Sequence, residues 1–171
     1  FKGHKYLLNA FAGLMGKFNN IKLLLVCDGE LMDELKSYSG ILNISDNGIF
    51  AGFRDDLRDI YSAIDIYVHP SVTGGGELFP FTVLYAMAAG IPVISSNIGD
   101  LPNMVEDSKT GFVVNEKSAY KLSEKIEMLI KDAGLCHSMG KAGCEKLKNE
   151  FTIDKMTDKT EMLYFSLLNS K

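Results

Sequence analysis

Apolar residues first recur with helical spacing over residues 5–18, where Leu7, Phe11, Leu14, Met15 and Phe18 share one face. Gly16 and the pair Asn19-Asn20 end that pattern. Residues 21–27 then form a short, largely apolar run closed by Asp28-Gly29, which predicts a buried strand. A helix is predicted over 30–38, a strand over 49–52, and a helical stripe at Leu57, Ile60, Tyr61 and Ile64. Residues 65–69 read as a third strand stopped by Pro70. The glycine-rich stretch 73–77 leads into a helix over 80–89, with Pro80 suited to its first turn. Strands over 92–95 and 111–114 flank a short helix at 101–106. The remainder reads as three helices: one marked by Leu122, Ile126 and Leu129, one over 135–149, and one capped by Thr152.

Strands and helices alternate through the first 115 residues without a hairpin signal between strands. That order predicts right-handed βαβ units and a parallel sheet covered on both faces. The expected fold is α/β: a Rossmann-like three-layer α/β/α domain with a parallel sheet of about five to six strands and a helical C-terminal tail. Ligands of such sheets sit beyond the carboxyl ends of the strands. Three strand ends there carry polar or glycine-rich sequence: Asp28-Gly29-Glu30, Gly52-Phe53-Arg54, and Ser71 to Glu77.

Composition narrows the function classes. The 171 residues are 46% apolar and 23% charged, which suits one globular domain and excludes general disorder. Eighteen basic residues stand against 22 acidic ones, with no basic stripe, so nucleic acid is not an expected partner. Cys27, Cys136 and Cys144 are too scattered for a disulfide framework. No apolar run reaches the ~18–20 residues of a membrane span. The start at Phe1-Lys2-Gly3-His4, with no Met and a helix following at once, suggests the interior of a longer chain.

The three consecutive glycines Gly74–Gly76 cost backbone entropy and precede Glu77 and a helix N-terminus. Free N–H groups at residues 78–81 are expected to meet sugar hydroxyls or phosphate oxygens. His69 reads as a partly buried histidine at a strand–helix junction rather than a ligand. Cys136, His137 and Cys144 share one helical stretch and read as packing or surface residues. Neither a Walker A loop, a GxGxxG fingerprint nor a nucleophile elbow is present.

Taken in order, "KGHKYLLNAF", "LLLVCDGE", "IFAGF", "LRDIYSAIDIYVHPS", "GGGELFPFTVLYAMAAGIPVISS", "IGDLPNMV" and "SKTGFVV" cover nearly the whole chain. The set resembles the donor-binding, C-terminal half of a B-type sugar transferase, in the large retaining group called glycosyltransferase family 4. The resemblance implies a single nucleotide-sugar domain over residues 1–171, with an acceptor domain before it. Its implied reaction moves a hexosyl group from a nucleotide-diphosphate sugar to a glycan or lipid-linked acceptor, with retention and without a metal or other cofactor. The donor phosphate would itself help to deprotonate the acceptor. Implied partners are the nucleotide sugar and that acceptor. The implied location is cytoplasmic, peripheral to the inner face of the membrane.

Residue by residue, Lys2 matches the lysine that contacts the donor pyrophosphate, and the family's assisting arginine would lie a few residues earlier. Glu77 matches the first acid of an E-x7-E motif beside the transferred sugar. Lys2 and Glu77 are therefore the implied catalytic pair. Asp28, Gly29 and Glu30 match a turn lining the donor site, with Cys27 where the family prefers glycine. Gly52, Phe53 and Arg54 match the stretch bordering the nucleobase. Gly76, Leu78, Phe79 and Phe81 surround the sugar and phosphate, and Pro80 lacks the N–H that a donor needs there. Tyr85 falls on the second acid of E-x7-E, where the family glutamate grips the ribose; tyrosine offers one uncharged hydroxyl instead. Asn103 likewise replaces a common glutamate. Tyr85 leaves a second expectation open: a degenerate nucleotide-sugar binding or scaffold domain without catalysis.

Overall fold

The computed structural model describes residues 1–169. Along the chain run α1 (His4–Met15), β1 (Leu23–Leu25), α2 (Met32–Ile41), β2 (Gly48–Phe50), α3 (Leu57–Ser62) and β3 (Tyr67–His69). They are followed by α4 (Phe81–Ala88), β4 (Val93–Ser96), α5 (Leu101–Met104) and β5 (Gly111–Val114). Three helices close the order: α6 (Ala119–Lys131), α7 (Ala133–Glu150) and α8 (Ile153–Leu168). All strand pairing is parallel, as the βαβ reading requires.

The sheet differs from the expected single sheet of five to six strands. Five strands form two ladders, β1-β2 and β3-β4-β5. They nevertheless share one core, in which Leu25 of β1 packs in the same cluster as Ile94 of β4 and Phe112 of β5. The strands are also shorter than their apolar runs. The Ile21 carbonyl accepts from the Asn47 side chain at 2.8 Å and Lys22 reaches the Asp46 carbonyl at 2.9 Å, so the ladder begins only at Leu23.

Strand β4 is buried throughout and shows the period of two that makes a three-layer fold. Ile94 joins α1, α2 and α6 on one side, whereas its neighbour Val93 joins Val83, Met87, Leu101 and Met104 on the other. Helix α1 buries Leu7, Leu8, Ala10, Phe11 and Leu14. Each such leucine or phenylalanine contributes about 1.5–3 kcal/mol on leaving water. Thr152 caps α8 as predicted, and Ser118 and Asp132 cap α6 and α7 in the same way, each accepting a backbone N–H of the next turn. Helix α8 buries none of its residues and exposes Ile153, Met162, Tyr164 and Phe165.

Candidate functional site

The site forms where the chain's first three residues lie along the segment after β3. Gly3 adopts φ 72°, and a Cβ there would fall 1.9 Å from the Pro70 carbonyl oxygen. Only glycine permits that approach. The Val72 N–H donates to the Phe1 carbonyl at 2.7 Å, and the Phe1 ring covers Gly75. Lys2 is thereby brought to Glu77, with Nζ 2.6 Å from Oε2.

Glu77 is fixed from the other side by the turn after β4. Gly99, at φ 53°, leaves room for the Glu77 carbonyl, which would stand 2.0 Å from any Cβ added there. The Asp100 N–H donates to the Leu78 carbonyl at 3.2 Å. The glycine loop is tied down by Glu116, which accepts from the Thr73 N–H at 2.6 Å and the Thr73 hydroxyl at 2.8 Å. An open cavity of about 300 Å³ results, lined by Val72, Thr73, Gly76, Glu77, Asn97 and Gly99.

The Glu77 side chain is only 7% exposed. Its Oε2 accepts from Lys2 at 2.6 Å, from the Ser71 hydroxyl at 2.8 Å, and faces His69 Nε2 at 3.0 Å. Burial alone would push this carboxyl up. The hydrogen bonds from Lys2, Ser71 and His69 outweigh burial and bring it down to about 2, so it is ionised at neutral pH. Burial lowers His69 below its ordinary value, against the opposing pull of Glu77, so its ring is neutral at pH 7. His69 ends β3, the junction expected of it, but it is buried rather than partly so and is bonded to the candidate catalytic acid.

Helix α4 starts one residue later than predicted, because Pro80 is its N-cap, in extended conformation, and Phe81 its first helical residue. Among the described residues the N–H groups of Leu78, Phe79 and Phe81 have no protein acceptor. The Leu78 and Phe81 side chains are exposed, and the Phe79 ring meets Phe151 edge-on at 5.6 Å. Tyr85 packs on Tyr61, with centroids 6.0 Å apart, and Tyr61 continues to Tyr67 and His69 in one aromatic row. Asn103 turns back to Asp100 at 2.6 Å.

The other predicted residues sit at the ends of β1 and β2. Asp28 accepts the Gly29 N–H at 2.8 Å, Gly29 is at φ 144°, and Glu30 is exposed. Gly52 is at φ 69°, Phe53 is exposed, and Arg54 pairs with Asp56 on its own loop, Nε to Oδ1 at 2.7 Å. Neither loop shares a hydrogen bond or ion pair with the Lys2–Glu77 cluster among the described residues. Cys136 and Cys144 on α7 contact the Asp65 and Ala88 carbonyls. Among the described residues no three His, Cys, Asp or Glu side chains gather to hold a metal, and no helix is long and apolar enough to cross a membrane. A larger groove of about 540 Å³ between α1 and α6, lined by Asn9, Lys17, Tyr120 and Glu124, includes none of the predicted residues.

Residues 1–146 match the family described as "Glycosyl transferases group 1". The chain belongs to this family. UDP-Gal:alpha-D-GlcNAc-diphosphoundecaprenol alpha-1,3-galactosyltransferase of Escherichia coli is 31% identical over 151 residues, covering 86% of this chain and 38% of its own length. N-acetyl-alpha-D-glucosaminyl L-malate synthase of Bacillus anthracis is 26% identical over 161 residues, 94% of this chain and 41% of that protein. The chain therefore spans about two fifths of these curated relatives. Among solved structures it is similar to the C-terminal domain of the group 1 protein LpcC from Francisella tularensis, at 26% identity and TM-score 0.79, covering 89% of this chain and 80% of that one. Anabaena HepE in complex with UDP shares the fold, at 22% identity and TM-score 0.86, over 96% of this chain and 45% of that one. These likenesses make the group 1 domain a glycosyltransferase C-terminal domain of the B-type fold.

Sequence reasoning singled out Lys2 and Glu77, took in Ser71 only as the start of a polar strand end, set His69 aside, and missed Glu116. The Ser71 and His69 contacts needed only the two-residue spacing of a strand end, which puts both on one side. Glu116 is 43 residues from Thr73, and no local pattern marks it.

Proposed function

We propose that this chain is the donor-binding domain of a family 4, retaining, metal-independent glycosyltransferase. It would hold a nucleotide-diphosphate sugar for transfer of a hexosyl group to a glycan or lipid-linked acceptor. The Lys2–Glu77 pair supports this reading above all: one cation and one nearly buried carboxylate meet beside the open cavity. A diphosphate carries negative charge that grows as it leaves, and Lys2 with the unpaired N–H groups before α4 supplies positive charge to neutralise it. Glu77 supplies an acceptor for a sugar hydroxyl. Relatives whose names specify UDP-Gal or GDP-mannose donors, and diphosphoundecaprenol or phosphatidylinositol acceptors, support the same chemistry. Such acceptors favour a cytoplasmic location against the inner membrane face. The acceptor site would lie in another part of the protein.

Calorimetry with UDP-, GDP- and ADP-sugars tests the reading. Binding with Kd of about 10 µM–1 mM is expected for half a site, and absence of binding to every nucleotide refutes it. The chain on its own is expected not to turn over; detectable sugar transfer would overturn that part. Binding without catalysis in any longer form of the protein is the second reading, favoured by Tyr85, whose ring is committed to Tyr61.

A further inference from the structure

His69 is a buried ionisable side chain that the donor-site reading leaves without a task. Its Nε2 lies 3.0 Å from Glu77 Oε2 and 3.2 Å from the Ser71 hydroxyl, while its Nδ1 lies 3.2 Å from the Tyr67 hydroxyl. The hydrogen positions follow from chemistry. An ionised carboxylate only accepts, so Nε2 must carry the proton. A neutral ring then has a bare Nδ1, so the Tyr67 O–H donates to it. Tyr67 is itself buried, which pushes its ionisation well above the usual tyrosine range and keeps it protonated; its hydroxyl also meets the side chains of Thr82 and Tyr61. The row runs in one direction: Tyr67 O–H to His69 Nδ1, His69 Nε2–H to Glu77 Oε2.

The consequence falls on Glu77. Oε2 takes three donors, from Lys2, Ser71 and His69, whereas Oε1 has no protein partner among the described residues. A carboxylate pinned through one oxygen presents the other in a fixed direction. We propose that Tyr67 and His69 are a positioning pair: Tyr67 donates to the bare Nδ1 and holds His69 neutral, and His69 pins Glu77 so that Oε1 faces a hydroxyl of the bound donor sugar. The sugar contact rests on the functional reading above; the hold on Glu77 does not.

The pair also carries a pH dependence. Protonating His69 puts a proton on Nδ1 and forces the Tyr67 hydroxyl to turn away. The groups facing the ring are Glu77 from the glycine loop, Lys2 from the N-terminal segment, His4 from α1 and Tyr67 from its own strand. Tyr61 of α3 backs Tyr67, and β4 places the uncharged Ser95 in register with His69. Lys2 and His4 oppose a charge on His69, and Glu77 favours one.

Two arms test the proposal on the chain as it stands. In the first, nitrogen-15 NMR of the histidine rings follows His69 with pH. The expected result at pH 7 is a neutral ring with a protonated Nε2 and a bare Nδ1. In Tyr67→Phe, the midpoint should rise, because the donor that stabilised a bare Nδ1 is gone, while Glu77 keeps the remaining proton on Nε2. An Nδ1–H tautomer or a charged ring at pH 7 in the unaltered chain overturns the hold on Glu77. In the second arm, calorimetry compares UDP-glucose with UDP and GDP-mannose with GDP, using the pair that binds. His69→Ala should weaken the nucleotide sugar about tenfold, the size of one hydrogen bond to a charged group, and leave the bare diphosphate unchanged. His69→Gln, which keeps an N–H donor, should recover most of the loss. Equal weakening of sugar and diphosphate overturns the positioning role. If the unaltered chain binds none of the four, the donor-site reading and the sugar contact fall together, and the NMR arm decides the hold on Glu77 separately.

Discussion

Replacing Glu77 with glutamine changes the charge of the site while keeping its shape. In the native chain Oε2 collects donors at 2.6, 2.8 and 3.0 Å, and the side chain is 7% exposed. Those contacts hold its folded pKa at about 2, against an ordinary 4.5. The folded value is depressed, so the ionised carboxylate stabilises the fold above pH 4.5, and that stabilisation is lost as pH falls towards 2. A shift of this size corresponds to about 3 kcal/mol at most. Lys2 is half exposed, so solvent screens its share, and about 1–2 kcal/mol is the reasonable expectation. Urea unfolding of the unaltered chain and of Glu77→Gln, followed from pH 7 to pH 3, measures it. The two should differ by that amount at pH 7, and the gap should narrow steadily below pH 4.5. A gap that does not change with pH, or no gap at pH 7, would refute the reasoning that three donors hold a charged carboxylate.

Two glycines of α7 make a matched pair. A Cβ at Gly140 would fall 1.9 Å from the Gly90 carbonyl oxygen, whereas one at Gly143 meets nothing closer than 3.7 Å. Gly140→Ala should therefore destabilise by about 2 kcal/mol or more, and Gly143→Ala should stabilise by about 0.5–1 kcal/mol through helix propensity, both read from urea midpoints. Glu116→Gln removes the charge that holds both Thr73 donors; faster amide hydrogen exchange at Thr73 to Gly76, with β4 unchanged, is the expected result. Tyr85→Glu restores an acid at a position that is 44% exposed and should tighten nucleotide-sugar binding about tenfold; unchanged affinity in calorimetry counts against placing the ribose there.

The candidate residues were legible where local pattern marks them. Lys2, the glycine loop and Glu77 stand in motifs that a reader of the chain can align, and Thr152 caps its helix as its side-chain type predicts. The loops at Asp28 and Gly52 were placed correctly at strand ends, yet their connection to Glu77 was not readable and does not appear among the described contacts. Pro80 shows the limit of a boundary rule: it suits a first turn, but the extended backbone it adopts makes it the cap instead.

The sequence by itself determined the alternation of strands and helices, the parallel pairing and the family, because these follow from periodicity and from short motifs in fixed order. Tertiary structure alone decided how the acid is held. Gly3 against Pro70 and Gly99 against Glu77 are close backbone approaches between distant segments, and Glu116 reaches Thr73 across 43 residues. Burial keeps His69 neutral, and the ionised Glu77 places its proton on Nε2, which sets the direction of the Tyr67–His69–Glu77 row. Such features depend on which surfaces meet and how much water they exclude, and neither quantity is written in the local order of residues.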